Sequence, residues 1–217
     1  MKIKNVKVYG LDTSIARSAY PMQTGEPLEF EGFREDNPSV DLQEKDHVRA
    51  RKLANSPNGS GHDNFLKGVI VQFDLKYPQY WTPQLQRYHW FEIISSQSKM
   101  HKLTSVDNIL LSSNRFVLCS IANELNYLIR VYNKESFPYN YTDNSGEDAI
   151  IGSKEECFQY IISNLPMGYE MWMGISTSYL QLKTIFNQRK NHKLEDWKQF
   201  CEWIKTLPLA NELILCE

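Results

Sequence analysis

The sequence predicts an α+β fold that contains more helix than strand. Over residues 69–76, Val69, Val71, Phe73 and Leu75 face one way and Gln72, Asp74 and Lys76 face the other, which is the period of a β-strand with one buried face. The motif Ser153-Lys-Glu-Glu156 has the pattern of a capping box and predicts the start of a helix that ends before Leu165-Pro166. Apolar residues return at helical spacing over 176–189 and 194–207, which predicts two further helices.

The first third of the chain mixes strand, helix and loop patterns. Ile3, Val6 and Val8 alternate and predict a first strand. Residues 18–38 are rich in Pro, Gly and acidic side chains and predict a loop, whereas residues 41–53 are charged with helical spacing and predict a helix. The segment SPNGSGH, residues 56–62, combines residue types that break regular structure and predicts a second loop.

The middle of the chain is predicted to be mainly helical. Thr82-Pro83 has a hydroxyl suited to an N-cap, followed by Pro at the first helical position, where no N–H group is needed. The stretch QRYHWFEIISSQSKMHK, residues 86–102, is therefore predicted to lie on a helix whose second half runs out into a loop. Residues 103–133 predict one or two helices, and residues 135–152 predict an exposed loop.

Composition excludes several classes of protein. The 217 residues suit a single domain spanning 1–217 with a sizeable core. The net charge of -2 provides no basic field for duplex nucleic acid or for an anionic membrane surface. No apolar run approaches the roughly 18 residues that span a bilayer. The N-terminal residues lack the pattern of a signal peptide, so a cytoplasmic protein without a membrane partner is expected.

Short motifs exclude further chemistry. The four cysteines (Cys119, Cys157, Cys201 and Cys216) contain no C-x-x-C pair, so neither a zinc site nor a disulfide framework is predicted, and no metal is expected. The sequence has no P-loop, dinucleotide-binding glycine turn, metalloprotease helix or nucleophile elbow. Composition and spacing alone therefore predict a soluble α+β domain with side chains suited to binding an anion.

Two blocks of the sequence resemble the flavin-dependent thymidylate synthases. In the first block Gly61-His62, a strand and Gln84-x-x-Arg87-Tyr88-His89 follow in the register of that family's Gly-His loop, strand and Gln-x-x-Arg-His-Arg helix. In the second, Asn187-Gln188-Arg189 and then His192 follow a Leu-Pro pair, similar to the family's Asn-x-Arg and the His after it. The two blocks cover about half of the chain.

The signature differs from the family pattern at several positions. Tyr88 and His89 replace a His and an Arg, Lys99 replaces the final Arg, and Ser98 supplies the second Ser if the register slips by one residue. The other replacements are Glu92, Ile94, Gln97, Lys67-Gly68, and Leu180 and Ile162 at positions of family arginines. A lysine keeps the charge of arginine but loses its bidentate geometry, whereas Leu or Ile loses both. Each lost charged hydrogen bond would weaken phosphate binding by about 1.5–3 kcal/mol.

The resemblance implies a fold, a set of ligands and a site. The implied fold is an antiparallel sheet with a helical bundle, and the implied assembly is a homotetramer. The implied ligands are a pyrimidine nucleotide such as dUMP and the cofactor FAD, with NADPH and a folate methylene donor if the protein is catalytic. Arg189 and Gln84 are the implied catalytic residues, which would orient the pyrimidine. The implied nucleotide-binding residues are Gln84, Arg87, Ser95, Ser98, Lys99 and Arg189, and the implied cofactor-binding residues are Arg87, His89, Ser178, Asn187 and His192.

Three hypotheses follow from the sequence. The first is a divergent flavin-dependent thymidylate synthase-like enzyme that binds FAD and a pyrimidine nucleotide. The second is a non-catalytic nucleotide-binding protein on the same fold, acting as a sensor or by sequestering its ligand. The third is a structural or interaction protein that retains only the oligomer. Ordinary structural roles also explain the same residues, because Arg189 is favoured at a helix C-terminus by the helix dipole alone.

Overall fold

The computed structural model describes residues 1–26, 41–57 and 59–215. Strands β1 (Lys2–Tyr9), β2 (Ile70–Pro78), β3 (Phe91–Ser96) and β6 (Glu170–Ser178) form a four-stranded sheet in the order β1-β2-β6-β3. Strands β4 (Tyr139–Thr142) and β5 (Asp148–Ile151) pair as an antiparallel hairpin, with Tyr139 opposite Ile151. The predicted α+β class is confirmed, including its antiparallel sheet.

The helices are distributed along the whole described chain. They are α1 (Leu11–Arg17), α2 (Glu44–Ala54), α3 (Thr82–Leu85), α4 (Lys99–Lys102), α5 (Cys119–Lys134), α6 (Lys154–Ser163), α7 (Tyr179–Arg189) and α8 (Glu195–Ile204). Short 3₁₀ turns connect several of them, and a π-helical turn spans Asn211–Leu215. Within the residues described, no helix is both long and apolar enough to cross a bilayer. Cys216 and residues 27–38 of the first predicted loop lie outside the described part of the chain.

The described chain forms two compact units. Unit 1 comprises Met1–Leu75, Gln86–Ile94 and Gly174–Glu217. Unit 2 comprises Lys76–Leu85 and Ser95–Met173. That the chain acts as a single domain stays a prediction.

The core of unit 1 is built from aromatic side chains on β2, β3 and α8. The rings of Phe73 and Trp203 lie 4.6 Å apart, and those of Phe200 and Trp203 lie 5.1 Å apart. Val69, Val71, Phe73 and Leu75 are all buried, which confirms the alternation predicted for this strand. The expected helices over 41–53 and 194–207 are confirmed as α2 and α8, with ends shifted by one to three residues.

A close backbone approach in unit 1 requires glycine at position 10. Gly10 precedes α1 with φ of 69°, and a Cβ added there would lie 2.6 Å from the Gly68 carbonyl oxygen. We expect Gly10→Ala to lower the free energy of unfolding by about 2–3 kcal/mol, because it combines left-handed strain with a backbone clash. Gly59→Ala is the matched control, since Gly59 also has a positive φ but open space around it. Urea unfolding of both variants measures the difference, and equal losses would contradict the clash.

The core of unit 2 lies between α5, α6 and the β4–β5 hairpin. Its buried side chains include Leu125 and Leu128 of α5, Ile151 of β5, and Cys157 and Ile161 of α6. Ser153 is confirmed as the N-cap of α6, but the reciprocal hydrogen bond to Glu156 comes from Gly152 and not from Ser153, so the predicted capping box is only half formed. Ser153 Oγ accepts from the Glu156 N–H at 3.1 Å, and Glu156 Oε2 accepts from the Gly152 N–H at 2.7 Å.

The prediction of a helix over residues 86–102 is wrong. Helix α3 ends at Leu85, residues 91–96 form β3, and only Lys99–Lys102 are helical again. The adjacent β-branched residues Ile93 and Ile94 favour a strand. The backbone of Trp90 is also held in unit 1 by side chains, since its N–H donates to Gln181 Oε1 at 3.3 Å and its carbonyl accepts from Thr177 Oγ1 at 2.7 Å.

Three other element predictions need correction. Residues 135–152 are not an irregular loop, because β4 and β5 pair there around a turn in which Asp143 Oδ1 accepts from the N–H groups of Ser145 and Glu147. Within residues 103–133, regular α-helix begins only at Cys119, and a 3₁₀ turn spans Leu103–Ser105. Residues 176–178 end β6, so the helix predicted from Ser176 begins at Tyr179.

Candidate functional site

The predicted site residues are divided between the two units. Unit 1 contains Arg87, His89, Ser178, Asn187, Arg189 and His192. Unit 2 contains Gln84, Ser95, Ser98 and Lys99. Each unit has its own polar cavity.

Arg189 of unit 1 is held by the residue that replaces a family histidine. Its Nε donates to Tyr88 Oη at 2.6 Å, and Tyr88 Oη in turn donates to Gln188 Oε1 at 3.1 Å. The guanidinium carbon also lies 4.7 Å from the ring centroid of Trp197, within the range of a cation–π interaction. The Nε donor of Arg189 and one face of its guanidinium are therefore directed at the protein itself.

His192 belongs to the same cluster. Its Nδ1 accepts from the Leu194 N–H at 3.1 Å, and its ring centroid lies 6.2 Å from that of Trp197. Burial, and then the charges of Arg189 and Lys193, lower the pKa of His192 below its ordinary 6.5. The folded state therefore favours the neutral imidazole.

This shift predicts a pH dependence of stability. Above pH 6.5 His192 is neutral in both the folded and the unfolded chain, so its contribution is fully present. As the pH falls below 6.5 towards the lowered pKa, the unfolded chain takes up the proton first, and stability is lost. We expect His192→Asn to remove this part of the pH dependence. Urea unfolding at several pH values measures it, and an unchanged pH profile would contradict the assignment.

The other predicted residues of unit 1 differ in their availability. Arg87, His89 and Asn187 are exposed, and the His89 ring packs edge-on against Trp90 with centroids 4.8 Å apart. Ser178 is buried, and its Oγ accepts from the Gln181 N–H at 3.3 Å as the cap of α7. The Ser178 hydroxyl oxygen thus already has a structural role, while its predicted role in cofactor binding stays a prediction.

Two cavities lie along one side of α7 in unit 1. The first has a volume of about 430 Å³ and includes Trp90, Glu92, Leu180 and Gln181 in its lining. The second has a volume of about 560 Å³ and is lined by residues that include Gly59, Gly61, Asp63, Lys183 and Asn187. Lys67, Leu180 and Thr184 line both cavities, so the two are neighbours. Sequence reasoning missed Thr184 altogether and noted Lys67 only as a departure from the family pattern.

A buried ion pair supports the wall of the larger cavity. Lys183 Nζ donates to Asp63 Oδ2 at 2.7 Å and to the Ala54 carbonyl oxygen at 2.6 Å. The side chains of Lys183 and Asp63 are 5% and 7% exposed, respectively. The pair ties α7 to the 3₁₀ turn at residues 62–68 and to the C-terminal end of α2.

Unit 2 contains a smaller cavity with a cluster of lysines. It has a volume of about 220 Å³, and its lining includes Lys76, Lys99, Lys102, Ser98, Gln97, Glu170 and Trp172. Lys76 Nζ lies 3.5 Å from Glu170 Oε2, and Lys99 Nζ donates to Gln79 Oε1 at 2.6 Å. Three lysines thus face one carboxylate in the described lining, which gives the cavity a positive balance.

The structure brings only part of the predicted nucleotide set to this cavity. Ser98 and Lys99 line it, whereas its described lining includes none of Gln84, Arg87, Ser95 and Arg189. That any of these six residues binds a nucleotide stays a prediction. Lys76 and Lys102 were missed by sequence reasoning. Lys76 is the last residue of the predicted alternating strand. Its place on the polar face of that strand was the only signal in the sequence that it could belong to a site.

Comparison with solved structures identifies the fold. Flavin-dependent thymidylate synthase ThyX from Helicobacter pylori, complexed with FAD and dUMP, superposes with a TM-score of 0.66 at 14% identity, over 99% of this chain and 98% of the other. A second structure of the same enzyme with FAD and dUMP also has a TM-score of 0.66 at 14% identity, over 100% of this chain and 99% of the other. The UMP/dUMP methylase PolB from Streptomyces cacaoi, bound with 5-Br dUMP, has a TM-score of 0.59 at 13% identity, covering 99% and 94% of the two chains.

The protein therefore has a fold like that of the flavin-dependent thymidylate synthases over its full length. No protein-family model and no curated protein matches the sequence. The low identity means that the likeness shows the fold, and the function depends on the residues of the site.

Proposed function

We propose that this protein binds a pyrimidine nucleotide such as dUMP, with the phosphate in the lysine-lined cavity of unit 2. The observation that carries the proposal is the convergence of Lys76, Lys99 and Lys102 around one small cavity. The structural neighbours support the choice of ligand, since two contain dUMP and the third contains 5-Br dUMP.

The electrostatics of this cavity suit a phosphate. Three ammonium groups against one carboxylate leave an excess of two positive charges in the described lining, close to the charge of a phosphate monoester. Lysine binds phosphate as a point charge, so three lysines compensate in part for the bidentate contacts of family arginines. Trp172 lines the same cavity, and its backbone makes two hydrogen bonds with Gln97. Its indole offers a surface on which a base could stack.

FAD is the second proposed ligand, on the α7 side of unit 1. The groups there include the exposed indole of Trp90 for stacking, Lys67 for a phosphate, and the Asn187 amide. Bound FAD would supply hydride transfer once reduced by NADPH. The residues of this chain would orient the flavin and exclude water from one of its faces.

Nucleotide binding without methyl transfer is a second candidate function. Leu180 lines both of the cavities beside α7, at a position where the resemblance implies an arginine. Glu92 adds a negative charge to the 430 Å³ cavity. An aliphatic side chain cannot donate to an anion, and a carboxylate repels one. This lining favours a sensor or a sequestering protein over a methyltransferase.

Two measurements test these proposals. Calorimetry with dUMP, dTMP and uridine is expected to show binding of the two phosphorylated ligands and much weaker binding of the nucleoside. No heat with dUMP would refute nucleotide binding. The visible absorbance spectrum after incubation with FAD and desalting tests the flavin, and a flat spectrum would refute it.

An assay of turnover separates the first candidate function, nucleotide binding with methyl transfer, from the second, nucleotide binding alone. Protein supplied with dUMP, FAD, NADPH and a methylene folate forms dTMP if it is a methyltransferase and forms none if it only binds. The methyltransferase candidate is proposed to be a homotetramer, and light scattering measures this oligomeric state.

A further inference from the structure

A cavity in unit 2, separate from the lysine cluster, has the side chains to recognise a positive charge. It has a volume of about 320 Å³ and is lined by Ser120, Ile121, Glu124 and Leu125 of α5, Tyr160 of α6 and Asn164 at the end of α6. The described lining contains one carboxylate and no basic side chain. The cavity belongs to neither block of the sequence that resembles the thymidylate synthases.

The Glu124 carboxylate lies in a part of unit 2 that is rich in tyrosine. Tyr139 of the β4–β5 hairpin donates from its hydroxyl to Glu124 Oε1 at 2.9 Å. The Tyr139 ring centroid lies 5.7 Å from that of Tyr127, and the rings of Tyr141 and Tyr160 pack edge-on at 4.8 Å. The Arg130 guanidinium carbon lies 5.7 Å from the Tyr127 ring centroid, so that ring already has a cation beside it. The ring that lines the cavity is that of Tyr160, and an aromatic ring near a carboxylate attracts organic cations through both charge and ring quadrupole.

The carboxylate of Glu124 has no cationic partner within residues 1–26, 41–57 and 59–215. Its hydrogen bond from Tyr139 uses one oxygen, which leaves further acceptor positions on the side chain. Burial, and then the negative charge of Glu124, raise the pKa of Tyr139 to about 12 and also raise the pKa of Tyr160.

The remaining lining defines the shape of the ligand. Ile121 and Leu125 provide an apolar surface suited to a short alkyl stem. Asn164 donates from Nδ2 to the Tyr160 carbonyl oxygen at 2.9 Å, so its side-chain oxygen remains an acceptor. The cavity also adjoins the C-terminal end of α6, where the helix dipole favours a cation. The first turn of α5 has the opposite effect, because the N-terminal end of a helix dipole disfavours a cation. That end lies near Ser120, about one turn before Glu124.

We propose that this cavity binds an ammonium or guanidinium group on a short alkyl stem, with Glu124 as the counter-ion and Tyr160 packed against the stem. The proposal is independent of nucleotide binding. The same chemistry is found in free aliphatic amines and in lysine or arginine side chains, and the choice of probe distinguishes these two sources.

The test is a titration of ¹⁵N-labelled full-length protein, without nucleotide, followed by NMR. The probes are 1,4-diaminobutane for a free amine, and N-acetyl-lysine amide and N-acetyl-arginine amide for a side chain. Saturable shifts of the backbone signals of Ser120, Glu124 and Asn164 are expected, with millimolar affinity appropriate to ligands of this size. The probe that binds most tightly identifies the source.

Two variants and one control make the test specific. Glu124→Gln keeps an acceptor for Tyr139 but removes the charge, and it is expected to weaken binding about tenfold. Tyr160→Leu keeps apolar volume but removes the ring, and about a threefold loss is expected. Glu155→Gln removes the same charge from an exposed position on α6 and should bind like the parent protein.

Two results would overturn the proposal. One is the absence of saturable shifts with all three probes. The other is equal binding to the parent protein and to Glu124→Gln, provided that circular dichroism shows that the variant is folded.

Discussion

Lys183→Met is expected to lower the free energy of unfolding by about 3–5 kcal/mol, the largest stability effect that this structure predicts. The substitution would leave the Asp63 carboxylate buried without its cation, and it would remove the hydrogen bond from Lys183 to the Ala54 carbonyl oxygen. An uncompensated buried charge is costly because water cannot reach it. Urea unfolding of the purified variant at neutral pH measures the loss.

Two controls separate this effect from a general loss of charge. Lys198→Met removes a lysine that is 50% exposed and lies 3.7 Å from Glu195, and its cost should stay within about 1 kcal/mol. The double variant Lys183→Met/Asp63→Leu removes both buried charges and should recover much of the loss. A single variant as stable as the parent protein would show that the pair contributes little.

Lys99→Met is expected to weaken binding of dUMP by about tenfold to a hundredfold, the largest effect on binding. A lost charged hydrogen bond to phosphate is worth about 1.5–3 kcal/mol, and each 1.4 kcal/mol is about a factor of ten. The effect should shrink as salt is raised, since the attraction between Lys99 and the phosphate in the parent protein is itself screened. Isothermal calorimetry at low and physiological salt measures both trends.

Lys99→Arg and Lys45→Met complete the experiment. Lys99→Arg retains the charge and adds bidentate donors, so it should bind dUMP at least as well as the parent protein. Lys45 is exposed on α2 in unit 1, and Lys45→Met should leave the affinity for dUMP unchanged. If Lys99→Met binds dUMP normally while still folded, the phosphate does not bind in this cavity.

Local patterns predicted the elements whose signals lie within a few residues. The Ser153 cap and the alternation at Val69–Leu75 are such signals, and both are confirmed. Strand β3 was missed because Thr82-Pro83 predicted an N-cap and the start of a longer helix. Thr82 instead has helical dihedral angles directly after a 3₁₀ turn, its hydroxyl donates to Tyr77 Oη, and α3 ends at Leu85. What makes residues 91–96 a strand is pairing with β6, which lies about 80 residues further along the chain.

The candidate site shows the same division. The resemblance led to Lys99 and Ser98, and the structure places both at one cavity. It could not lead to Lys76, whose contact with Glu170 joins residues 94 positions apart in the sequence. Nor could it reveal that Tyr88 would engage Arg189, because the hydrogen bond between them depends on how α7 packs in unit 1. The partners of these side chains could not be predicted, because they come from distant parts of the sequence.

The exposed indole of Trp90 provides the protein with an intrinsic fluorescent reporter. Trp90 is 60% exposed, whereas Trp81 and Trp197 are both 0% exposed. Emission from Trp90 should therefore lie at longer wavelengths than that of the buried indoles and should be quenched selectively by iodide. A ligand that fills the 430 Å³ cavity would shield this indole, so its occupancy could be followed in unlabelled protein. Trp90→Phe would silence that signal and leave Trp172 to report on the lysine-lined cavity.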